Sequence, residues 1–341
     1  MGDLGQHDDT EGTRPPFEWL KRGTSSRLSL LCSRGGSVWD IEAEYEAGTP
    51  GNAVAKCGVS RDHRVGAVMS ANFGPGFHAA PGRAVDISAY DRYIGRWSRL
   101  FVPAVLAAAE VALGYRVLDI STGTGEAALI TLPIVGASGF VIGADISPAM
   151  VEAARDRLNE SSFWPVAADG QALPFRDGSF DAVTCQLGLQ FFPDPALGLK
   201  EFRRVLRPGG CAAACVISTP DRAPMAGILA DAISRFLPEQ RNIIYLSFAL
   251  ADPKRLEDLL DSAGFGDIRV EREIREYIIE SFDDYWAPIE AGIGSLPQAY
   301  LALSEPDRRS VREEVRERLL RFESNGRLLM SIEMLIGKGR A

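Results

Sequence analysis

The chain has 341 residues, 46% of them apolar and 24% charged. That balance can supply a large buried core, and the length suits two average domains or one α/β domain with insertions. A formal net charge of −9, with no visible run of Lys and Arg, argues against a nucleic-acid partner.

Cys32, Cys57, Cys185, Cys211 and Cys215 are odd in number and irregularly spaced. They suit a reducing compartment better than a disulfide framework. The N-terminus carries no apolar run of signal-peptide length, and nothing approaches the ~20 apolar residues of a membrane span. The chain therefore reads as cytoplasmic.

Residues 1–80 mix Gly, Ser, Asp and Arg without sustained periodicity. Such a segment buries too little apolar surface to offset its ordering entropy, so it is expected to be a disordered extension. Two alternatives are a natural start at Met69 and a short local helix over 38–45. One α/β domain is expected from about residue 85 to 341.

Tyr90, Ile94, Trp97, Leu100 and Phe101 recur at helical spacing, which predicts one or two helices over 87–112. Strands and helices then alternate. Strands are predicted over 115–120, 140–144, 163–167, 180–185 and 211–217, with helices near 125–135, from Ser147-Pro148 and from Asp194-Pro195. The last of these helices ends at Arg207-Pro208-Gly209-Gly210. Strict alternation implies parallel crossovers and a doubly wound sheet. Helical insertions are expected over about 221–248 and 281–325. Between and after them come a helix capped by Asp252 and strands over 267–279 and 328–336, the strand pair forming a hairpin-like edge.

The turn after the first strand reads Asp119-Ile120-Ser121-Thr122-Gly123-Thr124-Gly125. Glycines there let a ligand approach the backbone at the carboxyl end of a central strand. Gly123 to Ala128 also fits the G-x-G-x-x-A dinucleotide fingerprint, with Asp145 lying 20 residues beyond Gly125. An NAD(P)-dependent oxidoreductase is therefore an alternative. Against it, Asp119 sits where an ammonium group is welcome and a pyrophosphate is not. Asp145 ends the second strand, where a carboxylate can accept both hydroxyls of a ribose, and Asp169-Gly170 follows the third, in reach of an adenine amino group. A single acid at a strand end is usually a solvated cap; three in register point to a ligand.

With these residues in view, the chain resembles the class I S-adenosylmethionine-dependent methyltransferases, especially the branch containing quinone-biosynthesis C-methyltransferases. The likeness is carried by Val117-Leu118-Asp119-Ile120-Ser121-Thr122-Gly123-Thr124-Gly125, Gly143-Ala144-Asp145-Ile146-Ser147, Ala168-Asp169-Gly170-Gln171-Ala172-Leu173-Pro174-Phe175 and Ser179-Phe180-Asp181-Ala182-Val183. Glu201-Phe202-Arg203-Arg204-Val205-Leu206-Arg207-Pro208-Gly209-Gly210 completes it. The resemblance implies a seven-stranded, mostly parallel, Rossmann-like sheet in the order 3-2-1-4-5-7-6, with S-adenosyl-L-methionine as cofactor. It assigns Asp119 and Gly123 to the methionine end, Asp145 to the ribose, and Ala168 and Asp169 to the adenine. Ser121, Thr122, Gly125, Ile146, Met150, Gly170 and Gln186 are the further cofactor contacts it implies, and 186–190 would border the sulfonium and the acceptor. Ser121 departs from the family, many of whose members carry glycine there.

Methyl transfer from a sulfonium is an in-line displacement that needs alignment and water exclusion more than a fixed catalytic motif. No catalytic residue is assigned. His7, His63 and His78 all precede the domain, which favours a small-molecule acceptor that is already nucleophilic. No metal site is expected: Cys211 and Cys215 would stand roughly 13 Å apart along a strand. Tyr90, Tyr93, Trp97, Tyr285 and Trp286 are either an aromatic cover for a flat acceptor or ordinary packing residues. Arg92, Arg96 and Arg99 read as a solvated helix face. A non-catalytic scaffold that keeps the fold is the third functional alternative, and no motif encodes the acceptor or an oligomeric state.

Overall fold

A computed structural model describes residues 86–341, together with backbone strands at 27–34, 37–44 and 54–56. Those three strands, β1 (Arg27–Arg34), β2 (Ser37–Glu44) and β3 (Val54–Lys56), form an antiparallel sheet in the order β1-β2-β3. The short helix expected over 38–45 is thus a strand. Its alternation of Trp39, Ile41 and Ala43 with Asp40, Glu42 and Glu44 has the two-residue period of a sheet. The expectation of disorder for the rest of 1–80 falls on residues outside those described.

The helical stretch that follows Asp86 is α1 (Ile87–Tyr90), a π-helical turn over Asp91–Gly95, α2 (Arg96–Ser98), a 3₁₀ turn over Arg99–Phe101, and α3 (Val102–Ala108). It is more broken than the predicted pair of helices. Pro103 lies in the first turn of α3, where its missing N–H costs nothing. The alternating units then run β4 (Arg116–Ile120), α4 (Glu126–Val135), β5 (Phe140–Asp145), α5 (Pro148–Arg157), β6 (Phe163–Ala167) and β7 (Phe180–Gln186). They continue through α6 (Pro195–Val205), β8 (Leu206–Ile217), α7 (Pro224–Ser234), α8 (Arg241–Ile244) and α9 (Pro253–Ser262). The chain closes with β9 (Gly266–Ile279), α10 (Phe282–Glu290), α11 (Ser295–Leu301), α12 (Glu305–Leu319), the two-residue β10 (Glu323–Ser324) and β11 (Arg327–Arg340).

The sheet runs β6-β5-β4-β7-β8-β11, with β9 on the far side of β11. This is the 3-2-1-4-5-7-6 order, parallel from β6 to β8 and antiparallel at β11 and β9. One boundary differs from the sequence reading: β8 begins at Leu206 rather than 211. Leu206 pairs with Phe180, and the ladder resumes at Cys211 with Ala182 after a register shift. Gly209, at φ 79°, supplies the left-handed residue inside that irregularity.

Every residue of β5 is buried, as a parallel strand covered on both faces requires. Along β4, Val117 joins one core and Leu118 the other. The Leu118 core packs under α6 and α9. The Val117 core takes in the opening helices, α7 and α10 to α12, so the two predicted helical insertions gather on one face. Arg96 fastens the opening helices to α10 through a two-pronged contact with Asp284, at 2.6 and 3.1 Å. Arg99 lies 3.4 Å from Glu126, so this arginine row is not simply a solvated face.

Candidate functional site at the carboxyl edge

The parallel strands end along one edge, and there the chain turns sharply. After β4, Ser121, Gly123 and Gly125 adopt φ values of 57°, 55° and 80°. Two are glycines, for which the left-handed region is free; Ser121 occupies it at a cost. The Thr122 N–H donates to the Ala144 carbonyl (3.1 Å), tying the turn to the end of β5.

Asp119 points inward rather than to solvent and is 2% exposed. Its carboxylate accepts hydrogen bonds from Thr122 Oγ1 (2.7 Å) and Thr184 Oγ1 (2.9 Å). Burial pushes its pKa up to about 6 against the pull of those hydroxyls. Asp145 accepts the Gly123 N–H on one oxygen and the Ser147 N–H on the other, each at 2.9 Å. Burial raises its pKa as well, opposed by both backbone donors. An ionised carboxylate has about four acceptor sites, so each acid retains capacity beyond these partners.

The third strand is joined to the same edge, since the Ala168 N–H donates to the Asp145 carbonyl at 2.9 Å. Asp169 accepts the Gln171 N–H at 2.9 Å. Ile146 is 40% exposed beside the buried Asp145, an apolar surface at a polar edge. Met150 lies in the first turn of α5, buried, with its N–H capped by Ser147 Oγ.

The segment after β7 runs across this edge. Gln186 Nε2 donates to the Ser98 carbonyl at 2.6 Å, linking β7 to α2. Leu187 takes a φ of 59°, a strained value for a bulky side chain. A Cβ on Gly188 would stand 2.2 Å from Ser121 Oγ, and one on Gly170 would stand 2.4 Å from the Phe192 ring. The segment therefore rests on the glycine-rich turn at one end and on the loop after β6 at the other.

Asp119, Ser121, Thr122, Gly123, Gly125, Asp145, Ile146, Ala168, Asp169, Gly170 and Gln186 all fall at this edge, with Met150 behind it in the core. The aromatic group divides. Tyr93, Trp97, Tyr285 and Trp286 are packing residues, all buried, with Tyr285 Oη donating to the Met225 carbonyl (2.8 Å). Tyr90 alone reaches the turn, where a Cβ on Gly123 would meet its hydroxyl at 3.3 Å. Burial raises the Tyr90 pKa, helped by the nearby charges of Asp145, Asp91 and Glu126.

Sequence reasoning missed two partners. Thr184 was readable as a hydroxyl inside an otherwise apolar strand. Arg157 was not: it bridges Asp91 (3.1 Å), Thr124 (3.2 Å) and Glu126 (2.7 Å), residues far apart in the chain.

The chain is similar to known proteins. Residues 118–214 match the family described as Methyltransferase domain. The chain is 33% identical over 190 residues to the ubiquinone/menaquinone biosynthesis C-methyltransferase of Cellvibrio japonicus, covering 51% of this chain and 76% of that protein. To the demethylmenaquinone methyltransferase of Mycolicibacterium vanbaalenii it is 32% identical over 182 residues, covering 50% of this chain and 77% of that one. Among solved structures, phosphoethanolamine N-methyltransferase 2 of Haemonchus contortus aligns with a TM-score of 0.47 and 17% identity, covering 74% of this chain and 56% of that chain. An S-adenosylmethionine-dependent methyltransferase of Aquifex aeolicus aligns with a TM-score of 0.40 and 20% identity, covering 57% of this chain and 87% of that chain.

Proposed function

The chain belongs to the class I S-adenosylmethionine-dependent methyltransferases, and from that premise we propose that it methylates a ring carbon of a small, electron-rich aromatic acceptor of the quinone-precursor kind. The observation that carries this reading is the convergence of Asp119, Gly123, Asp145 and Ala168 on one carboxyl edge, bonded to one another through backbone and hydroxyl groups. The relatives named for quinone biosynthesis lend the acceptor class.

Residues 85–341 form the proposed catalytic unit, with the insertions at about 221–248 and 281–325 providing its acceptor-side cover. The residues at the edge fit the cofactor. Gly123 and Gly125 hold left-handed backbone; a Cβ on Gly123 would meet the Tyr90 hydroxyl, and one on Gly125 would strike Leu158 beneath the turn. Asp145 keeps acceptor capacity for two ribose hydroxyls, and Ile146 offers an exposed apolar flank to a base. Asp119 supplies negative potential for an ammonium group. When bound, the sulfonium would supply an electrophilic methyl group and depart as a neutral thioether.

The protein's own contribution is alignment and exclusion of water. Tyr90 and the segment after β7 close over the turn, and no histidine lies within 86–341 to act as a base. A ring carbon suits that inventory, because its electron pair forms the new bond and its proton leaves afterwards to solvent or a nearby carboxylate.

The test is calorimetric titration of the full chain with S-adenosylmethionine, S-adenosylhomocysteine and NADH, repeated with Asp145→Ala. Binding of the first two, silence with NADH and loss in the variant are expected. Mass spectrometry of reduced quinone precursors incubated with the cofactor then reads methylation. Binding without methylation of any reduced quinone would sink the acceptor assignment and leave a cofactor-binding scaffold; binding of NADH alone would overturn the reading outright.

A further inference from the structure

β9 is the outermost strand of the sheet on the side away from β6, and among the described residues it pairs with β11 alone. Its free edge is 14 residues long. Such an edge turns a row of backbone N–H and C=O groups toward water, and proteins ordinarily guard it with proline, lysine or bulges. Neither proline nor lysine occurs between Gly266 and Ile279, and the irregularity in the β9–β11 ladder lies at its start, opposite Lys338 and Arg340.

The second half of the strand has the least support. β8 ends at the Ile217–Met334 pair, and beyond it β9 and β11 continue together as far as the Ile279–Leu328 pair. One face of that ribbon, with Tyr277, Ile279, Met330 and Ile332, is buried in the core. The other carries Ile274, Ile278 and Leu329 at 53%, 52% and 49% exposure. Two strands with an apolar face in water are marginal, and a third strand beside them would shield it.

We propose that the outer edge of β9 is a homodimer interface, where two copies of this chain pair their β9 strands antiparallel with Ile274 on the two-fold axis. The charge pattern selects the partner and the register. Directly opposed residues share a face of the sheet, so the axis passes through one residue, which meets its own copy. Residues 269–276 read Arg-Val-Glu-Arg-Glu-Ile-Arg-Glu. An axis on Glu271, Arg272, Glu273, Arg275 or Glu276 would set like charges face to face, which destabilises a pair of strands. An axis on Val270 would oppose Asp267 to Glu273. With the axis on Ile274, Glu273 faces Arg275 of the second copy, Arg272 faces Glu276, and Val270 faces Ile278, each twice by symmetry. Within one chain Arg275 already reaches Glu273 at 2.6 Å, and the second copy closes this pair into a ring of four alternating charges. Arg272, 3.5 Å from Glu333 and 61% exposed, remains free to reach across. β11, β8 and β7 separate β9 from β4, so the pairing leaves the β4–β5 edge uncovered and stands apart from the methyltransferase reading.

The test is the mass of the full chain by sedimentation equilibrium from about 1 to about 100 µM, in low salt because the proposed ion pairs are exposed. Wild type should approach twice 37.0 kDa at the upper end. Ile274→Lys opposes two ammonium groups on the axis. It should weaken self-association at least about tenfold while keeping the wild-type circular dichroism spectrum, since the side chain is half exposed in the single chain. Ile274→Cys should cross-link to its own copy under mild oxidation, because opposed Cβ atoms stand ~4.5–5.5 Å apart. Glu276→Cys should not, being offset from its own copy by roughly 13 Å along the strand. Wild type oxidised alongside gives the background from the native thiols.

A wild type that stays at 37.0 kDa throughout overturns the proposal and leaves the edge to a different partner. A dimer that Ile274→Lys leaves intact overturns it too, because the contact then lies elsewhere. Cross-linking as strong through Glu276→Cys as through Ile274→Cys overturns the register.

Discussion

The carboxyl edge of the sheet divides at β4 into two halves that treat their polar groups in opposite ways. On the β4–β5–β6 side the polar groups are paired: Asp119 takes the hydroxyl of Thr122 and, reaching across from β7, that of Thr184, Asp145 takes two backbone N–H groups, and Ala168 is tied to the Asp145 carbonyl. On the β7 side the network stops short, leaving the carboxamide of Gln190 and the oxygen of Gln186 without partners. A self-completed edge is preorganised and can present the same shape to one cofactor every time. An edge whose buried amides are unpaired stops short of that preorganisation.

The sharpest way to break that division is to unseat the cover and ask whether the cofactor half notices. Trp286 is 2% exposed, stacked on Phe282 with ring centroids 5.5 Å apart and edge-on to Tyr300 at 5.2 Å; its Nε1 donates to Glu290 at 2.7 Å. Trp286→Ala should cost about 3–5 kcal/mol of stability, measured by denaturant unfolding. Below its lowered melting temperature the variant should still bind S-adenosylhomocysteine close to the wild-type level. A parallel collapse of cofactor affinity would show that the two halves form one cooperative unit.

Asp145→Ala is the converse. It leaves the Gly123 and Ser147 N–H groups without their acceptor and removes the proposed ribose contact. Each stranded donor carries a penalty of about 1–3 kcal/mol. We expect cofactor affinity to fall by about 100-fold, a loss of ~2.8 kcal/mol, in calorimetry. Asp145→Asn, which keeps one oxygen, should lie between. Loss of less than about threefold in the alanine variant would remove Asp145 from the cofactor site.

How much of this was legible beforehand follows the same division. The β4 turn, Asp145 and the Ala168-Asp169-Gly170 stretch could be read because each is local: an acid or glycine at the end of a periodic apolar run announces a strand end. The strand order followed from alternation plus the family likeness. What could not be read depends on distant partners. Arg157 meets Asp91, Thr124 and Glu126 only after α5 has folded back on the turn. The burial of Trp97 and Trp286 depends on the insertions packing together on one face, and their helical spacing fits a cover and a core equally well. The missing partners of Gln190 can be recognised only when every neighbour is in place. The start of β8 at Leu206 hangs on a register shift that a Pro-Gly-Gly sequence hides behind turn-like composition.

Protonation tests the cofactor half from another side. The Asp119 carboxyl has a folded-state pKa of about 6 against an ordinary 3.8. The folded state therefore holds this proton more tightly than the unfolded chain. Its contribution to stability is fully present below about pH 4 and is lost as pH rises through about 6. Asp119→Asn should flatten that part of the stability–pH curve and melt higher than wild type at pH 7. An ammonium group bound nearby would favour the ionised acid and release the proton. Cofactor affinity should consequently climb as pH rises through 6 in wild type and lose that climb in Asp119→Asn. Identical pH profiles for the two proteins would place the ammonium elsewhere.

The smallest expected effect concerns the residue where this chain departs from its family. Ser121 holds φ at 57°, a conformation that costs a side-chain-bearing residue about 1–2 kcal/mol. Ser121→Gly relieves that strain but gives the unfolded chain more freedom, worth about 0.4–1 kcal/mol in the opposite direction. It also removes the hydroxyl that hydrogen-bonds the buried Cys185 thiol. The residue gains most where strain exceeds both losses, so the expected change is a stabilisation of about 0.5 kcal/mol, read as a small rise in melting temperature. Destabilisation would mean that the Ser121–Cys185 contact outweighs the strain. Serine would then stand at this turn as a brace between the end of β4 and β7, its neighbour in the parallel sheet.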